Sequence, residues 1–293
     1  MIKAKFKNIS FAIVNFIIDY YTIPEKLNFK SLLKRIKFTI RYRLLGLGLP
    51  ITKNDKKLLQ LKNKHKGERC FIIGNGPSLN NIDLTLLKNE FTFGVNAIYT
   101  NFEKMGFYPT YHVVEDTLVA EDRANEINNY KSSTKLFGNY LNYCLKNDEK
   151  SILMNVNMDY RSYKNFPNFS KNISREIWVG GTVTYLCMQI AYSMGFKEVY
   201  LIGFDHNYKI PEGSSVTGND ILSNTDDPNH FNKDYFGKGK RWHDPMLHRM
   251  EQAYYKAREF YEKDDRIIRN ATAGGKLEIF ERIKYENIIK KFN

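Results

Sequence analysis

Gly74-Asn75-Gly76-Pro77-Ser78-Leu79 is the stretch of this chain whose residue types and spacing point most directly to chemistry. Two glycines let the backbone turn sharply and approach a ligand closely. Pro77 suits the first turn of a helix, and Ser78 sets a hydroxyl beside amides that such a turn leaves unpaired. Together Gly74, Asn75, Gly76 and Ser78 outline an anion cradle between a strand and a helix. The pattern is neither G-x-G-x-x-G nor the P-loop with its Lys-Ser/Thr, and a structural turn would use the same glycines. Gly180-Gly181-Thr182 forms a second glycine-rich helix entrance. Two such entrances in one domain suit a ligand with a phosphate and further polar groups, such as a nucleotide or nucleotide sugar.

These residues need elements to position them, and the surrounding pattern supplies a strand–helix alternation. Cys70 to Ile73 is a short apolar run fit for a buried strand that stops at Gly74. Phe91 to Val95 reads as a second strand ending at Asn96, and Tyr111 to Val114 as a third ending at Glu115-Asp116. The helical pattern after Thr182 runs to Met194 and closes on Gly195, and a strand from Glu198 to Ile202 ends at Gly203-Phe204-Asp205. Arg266 to Ile268 reads as a last strand that leaves through Asn270 and Thr272, and Leu277 to Ile289 as a closing helix. In open parallel sheets the ligand lies outside the carboxyl ends of the strands. Asn96, Asp116, Asp205, Asn270 and Thr272 therefore join the candidate contacts, although a plain turn accounts for the last two equally well. The fold class expected is α/β, a Rossmann-like open, mostly parallel sheet with helices on both faces.

From His206 to Arg241 the chain is rich in Asn, Asp, Gly, Ser and Lys, with neither helical nor strand periodicity. A segment of that length inside a compact domain is usually functional or disordered. Tyr208, Phe231, Tyr235, Phe236 and Trp242 favour a lid-like insert, because their rings could cover a base or a sugar. Asp244-Pro245 then reads as a helix start, with Asp244 as N-cap and Pro245 at the first helical position. His243 would sit beside that helix N-terminus, whose positive end lowers a histidine pKa and keeps a base neutral.

The blocks Ile73 to Leu79, Gly94-Val95-Asn96, Gly180-Gly181-Thr182 and Gly195 to Asp205, in this order, resemble the domain-of-unknown-function-115 family. Its members include pterin pyrophosphokinase-like proteins and flagellin glycosylation factors. The same blocks are similar to the bacterial sialyltransferases of glycosyltransferase family 42, and the resemblance covers about residues 68 to 285. It implies that Asn75 and Asn96 contact a CMP-sugar and that a histidine on the lid side acts as base. His243 is the best positional counterpart and His230 the second. Where those sialyltransferases carry Thr-Ser-Gly, this chain has Gly-Gly-Thr, and the spacing to Gly195 differs. The pterin-linked relatives imply another class, a diphosphokinase using ATP and Mg²⁺ with Asp116 and Asp205 as metal ligands. A third reading is a non-catalytic glycan-binding or assembly factor.

Charge divides the chain. Residues 1 to 66 hold sixteen of the 45 basic residues and three of the 32 acidic ones, so the whole excess of +13 lies there and the rest is formally neutral. A nucleic-acid-binding body, which needs positive charge across its folded surface, is excluded. The organisation expected is a basic helical appendage over 1–66 and one Rossmann-like domain over 67–293, with the lid insert at about 206–241. The run from Ile9 to Ile18 is too short to span a bilayer and lacks a cleavage site, so it is read neither as a span nor as a signal peptide. Leu32 to Leu49 interleaves apolar and basic residues as helices on an anionic membrane surface do. The alternative is packing on the body or on a second subunit in a homo-oligomer. Cys70, Cys144 and Cys187 are odd in number and widely spaced, which fits buried thiols rather than a disulfide framework or a zinc site.

The favoured function is a sialyltransferase-like glycosyltransferase that moves a sugar from a nucleotide-activated, CMP-linked donor to a bacterial surface glycan. Its expected place is cytoplasmic, peripheral on the inner face of the membrane. Its partners are the donor, the glycan acceptor and anionic lipid, with no metal or further cofactor; Mg²⁺ enters only in the diphosphokinase alternative.

Overall fold

The computed structural model describes residues 29–158 and 166–290. The apolar run from Ile9 to Ile18 lies outside the described residues. Two helices lead in, α1 (Phe29–Gly46) and α2 (Lys53–Leu61). An alternation follows: β1 (Arg69–Ile73), β2 (Thr92–Val95), α3 (Phe102–Met105), β3 (Tyr111–Val114), α4 (Thr117–Asp122), α5 (Ala124–Asn129), β4 (Thr134–Gly138) and β5 (Ser151–Met154). Short β6 (Val156–Asn157) and β7 (Ile177–Trp178) pair with each other, and α6 (Val183–Met194) leads to β8 (Glu198–Ile202). β9 (Ser215–Thr217), β10 (Asp220–Leu222) and β11 (Arg241–His243) precede α7 (Leu247–Lys263), β12 (Ile267–Asn270), β13 (Glu281–Arg282) and α8 (Tyr285–Lys290).

Eight strands form one parallel sheet in the order β13-β12-β8-β1-β2-β3-β4-β5. This is the expected Rossmann-like α/β architecture. Ile72 at its centre is level with Phe93 on one side and Leu201 on the other. Alternation along β1 divides the core: Cys70 and Ile72 point into one cluster with α6, while Phe71 and Ile73 point into another with Leu79, Leu84 and Ile98. Both faces are therefore covered, as the continuous apolar runs require. All of α6 is buried, in keeping with a helix whose sequence has no polar stripe. The strands after β1 run outward on one side, and β8 and β12 fill the other. The reversal at β1 opens a crevice at the carboxyl ends of the strands.

Tyr42 and Leu45 of α1 and Leu58 and Leu61 of α2 are buried in the same cluster as Ile72. A capping box between Thr52 and Asp55 starts α2. Asn54 exchanges two hydrogen bonds of 2.8 Å with the backbone of Leu153, covering the outer edge of β5.

The structure corrects three local readings. Residues 206–241 contain strands: β9 and β10 turn through Gly218, at φ +62°, and β11 completes a small antiparallel sheet. At three residues each, these strands are too short to show a period. The helix expected from Pro245 begins at Leu247. Asp244 gives its amide to Asn219 O rather than capping, and the helical ladder starts at Met246 O. The closing helix is only Tyr285–Lys290; Leu277, Ile279 and Phe280 are core residues that lead into β13.

Candidate active site

The crevice is a cavity of about 160 Å³ lined by the loops after β1, β2, β3 and β8, the start of α6, and the 206–245 segment. Gly74 and Gly76 sit where no side chain fits: a Cβ at Gly74 would overlap the Gly203 carbonyl, and one at Gly76 the Asp205 carboxylate. The loop is zipped to the β8 exit by Gly74 N–H to Ile202 O at 2.8 Å and Gly76 N–H to Gly203 O at 2.9 Å. Ser78, expected to meet a phosphate, donates its hydroxyl (2.7 Å) and its amide (3.3 Å) to Asp205. A carboxylate of the protein occupies the anion seat beside Ser78, so the glycines serve the approach of loop to loop.

Asn75 is buried, and its amide orientation is fixed because Nδ2 donates to Val95 O at 3.1 Å, an atom that can only accept. Nδ2 also donates to Tyr235 Oη at 3.0 Å. Asn75 lines the crevice, and its Oδ1 has no hydrogen-bond partner among the described residues. A buried acceptor left bare calls for a donor, a hydroxyl or N–H, from a ligand. Asn96 holds the left-handed conformation, φ +49°, with its Oδ1 accepting from Glu115 N–H at 3.3 Å. Behind it His112 donates Nε2–H to Asn96 O at 2.5 Å; burial lowers its pKa to about 4 and keeps the ring neutral.

Two carboxylates follow β3. Asp116 caps α4, accepting from Leu118 and Val119 amides at 2.8 and 3.1 Å, and its other oxygen lies 3.3 Å from His243 Nδ1. Burial, then the charge of Asp116, raises Glu115 to about 7. The hydrogen bond to Asp116 raises the His243 pKa. The expected neutral base at a helix N-terminus is thus corrected: His243 ends a strand, faces Asp116 and Asp220, and favours its charged form.

His230 is held differently. Its Nδ1 lies 2.7 Å from Asp227 Oδ2, and its ring stacks on Tyr235 at 4.1 Å and 4°. Asp227 is buried and also accepts the amides of Asn229 and Phe236. Nδ1–H therefore points to the carboxylate, and Nε2 carries the lone pair of a ring that lines the crevice. Arg123 donates to the carbonyls of Asp234 and Tyr235, and Phe231 donates its amide to Asn75 O, fastening this segment to the body.

Thr182 caps α6 through its Oγ1 and lines the crevice with Gly181, which adopts φ +80°. Gly180 instead lets α6 approach Ala253 of α7. Asn270 and Thr272 are buried outside the crevice; Asn270 Nδ2 donates to Leu277 O and Thr272 Oγ1 accepts from Phe204 N–H, so they brace the β8 exit. Glu115, Asp227 and Tyr235 escaped the sequence-derived site. Asp227 had a legible signal, its i,i+3 spacing to His230. Among the described residues the crevice lining includes Glu115, Asp116, Asp205 and Asp244 but neither lysine nor arginine.

Comparison with curated proteins finds no match. A solved structure, that of the MAf glycosyltransferase from Magnetospirillum magneticum AMB-1, aligns with 16% identity and a TM-score of 0.46 over 87% of this chain. This chain spans 42% of that protein. The family described as 6-hydroxymethylpterin diphosphokinase MptE-like matches residues 50–211, more than half of the chain, from the start of α2 through the β8 exit. The chain belongs to the 6-hydroxymethylpterin diphosphokinase MptE-like family.

Proposed function

We propose that this protein is a sialyltransferase-like glycosyltransferase, taking a CMP-linked sugar as donor and a glycan hydroxyl as acceptor. The observation that carries the reading is the His230–Asp227 pair, its imidazole stacked on Tyr235 and lining the crevice. His230 takes the acceptor proton as the hydroxyl oxygen attacks the anomeric carbon, and the bond from that carbon to the nucleotide phosphate breaks. Asp227 holds the tautomer and stabilises the imidazolium that forms. Asn75 Oδ1 accepts from a hydroxyl or amino group of the nucleotide, and the start of α6 with Thr182 faces the phosphate. His243, whose pKa is raised by its hydrogen bond to Asp116, is placed to offset the charge of the departing phosphate. The acceptor enters through the adjoining pocket lined by Glu115, Met158, Asn219, Met246 and Arg249.

A second reading, diphosphoryl transfer from ATP, draws support from the acidity of the crevice. Four carboxylates without a lysine or arginine would repel a triphosphate unless a cation intervened. Asp116 and Asp205 both line the crevice and would hold Mg²⁺ together with the phosphates, the metal supplying charge neutralisation. A thermal-shift series with CMP, UDP, GDP and ATP, each with and without Mg²⁺, separates the two. Metal-independent stabilisation by CMP supports glycosyl transfer; stabilisation by ATP alone, and only with Mg²⁺, overturns it in favour of the kinase.

A further inference from the structure

α1 has two apolar faces, of which the fold uses one. Tyr42 and Leu45 are buried against the body. Leu33 and Ile40, seven residues apart, form a stripe on the opposite side, about half a turn away at roughly 100° per residue. Leu47, just past the helix, continues that line, and Leu49 and Ile51 extend it through the turn to α2. These five side chains are between 41 and 78% exposed. Single exposed leucines are ordinary, but five large apolar side chains exposed between Leu33 and Ile51 mark an interaction surface.

The charges around this row narrow the occupant. Lys37, Lys53 and Lys56 are exposed beside it. The sole acidic residue between 29 and 66 is Asp55, which is buried and bonded to Arg41. From the body, Glu176 faces Arg43 on the other flank of the helix, so the exposed row and its lysines remain apolar and cationic. A second copy would bring the same cationic face and repel it. No helix among the described residues is long and apolar enough to cross a membrane, and α1 carries six basic residues within its length. An apolar row flanked by lysines on a helix that does not span fits a helix lying in the headgroup plane.

We infer that the outer face of α1 and the α1–α2 turn seat this protein on an anionic lipid surface. Leu33, Ile40, Leu47, Leu49 and Ile51 enter the acyl boundary, and Lys37, Lys53 and Lys56 meet lipid phosphates. The inference is independent of which group the crevice transfers. The test uses the full chain, sedimented with vesicles of phosphatidylglycerol and phosphatidylcholine in equal parts and with phosphatidylcholine alone. Binding to the anionic vesicles at low salt, lost at high salt, is expected. Ile40→Asp/Leu47→Asp should weaken it at least about tenfold while leaving the melting temperature unchanged, because both side chains are exposed. Lys37→Ala and Lys53→Ala should each weaken it about fivefold and answer the question if the double variant misfolds. Absence of binding by the wild-type chain overturns the proposal. So does undiminished binding of the double variant, which would shift the attraction to residues 1–28. A fall in solution mass in the double variant would assign the face to a second copy instead.

Discussion

Two histidines of the crevice lining, His230 and His243, each pair with an aspartate, and the pairs are built differently. His230 and Asp227 are three residues apart, with side chains 11 and 2% exposed, and the imidazole is sandwiched among Tyr235 and Phe236. His243 and Asp116 come from distant parts of the chain, and the histidine is 42% exposed and shared with Asp220. The local pair has its geometry fixed by neighbours in sequence and by ring stacking. The distant pair exists only while the 206–245 segment is seated on the body. A reacting proton needs the first kind of arrangement, and a charge at the rim of a site needs no more than the second.

Removing each imidazole separates these roles most sharply. His230→Ala should lower kcat by about 10² to 10⁴-fold with donor affinity nearly unchanged, as expected for loss of a general base. His243→Ala should cost roughly tenfold and should weaken donor binding in parallel, because it removes a charge near the phosphate. Steady-state kinetics with donor affinity measured by titration checks both. The opposite ranking, with His243→Ala the more damaging in kcat, would return the base to the residue that the family resemblance first indicated.

The same contrast explains how much was legible in the sequence. β1, β2, β3, α6 and β8 are apolar runs ended by Gly, Asn or Glu-Asp, and their local pattern suffices to locate them and the crevice they open. β4 and β5 were not identified: Thr134–Gly138 carries Lys135, whose ammonium is buried and paired with Asp148, a polar residue that a pattern reading takes as surface. The 206–245 segment owes its shape to bonds across long separations, such as Arg123 to Tyr235 O and Asn75 to Tyr235 Oη, which leave no period behind. Asn75, Asn96 and Asp116 were found because strand ends locate them. Asn270 and Thr272 stand at a strand end too, yet they face inward, since the β12 exit is used to hold the loop after β8.

Glu115 sharpens the comparison from the carboxylate side, since it lies beside Asp116 and is pushed up to about 7. A folded-state pKa above the ordinary 4.5 means that the native state holds the proton longer than the unfolded chain does. Stability should therefore fall as pH rises from about 4.5 through 7. Glu115→Gln should remove that slope and stabilise the protein at pH 8 by up to about 3 kcal/mol. Urea denaturation of both proteins at acid and alkaline pH checks this. An identical pH slope in the variant would show that Glu115 is ionised without cost, leaving Asp116 less crowded than the geometry indicates.

The smallest effect tests the distant pair alone. Asp116→Asn keeps the helix cap, because asparagine caps as well as aspartate, and it removes the charge facing His243. The His243 pKa is raised by its hydrogen bond to Asp116, so the stabilisation from this pair is fully present below the unfolded value of 6.5. It is lost as pH rises through the raised folded value. Wild type should thus exceed Asp116→Asn in stability at pH 6, by less than about 1 kcal/mol for so exposed a pair, and the two should converge at alkaline pH. In kinetics, the alkaline limb of kcat should move to lower pH in the variant, because His243 then loses its proton earlier. An alkaline limb that stays at its wild-type position would mean that His243 carries no charge into the reaction, and the division of labour between a local base and a distant charge would fail.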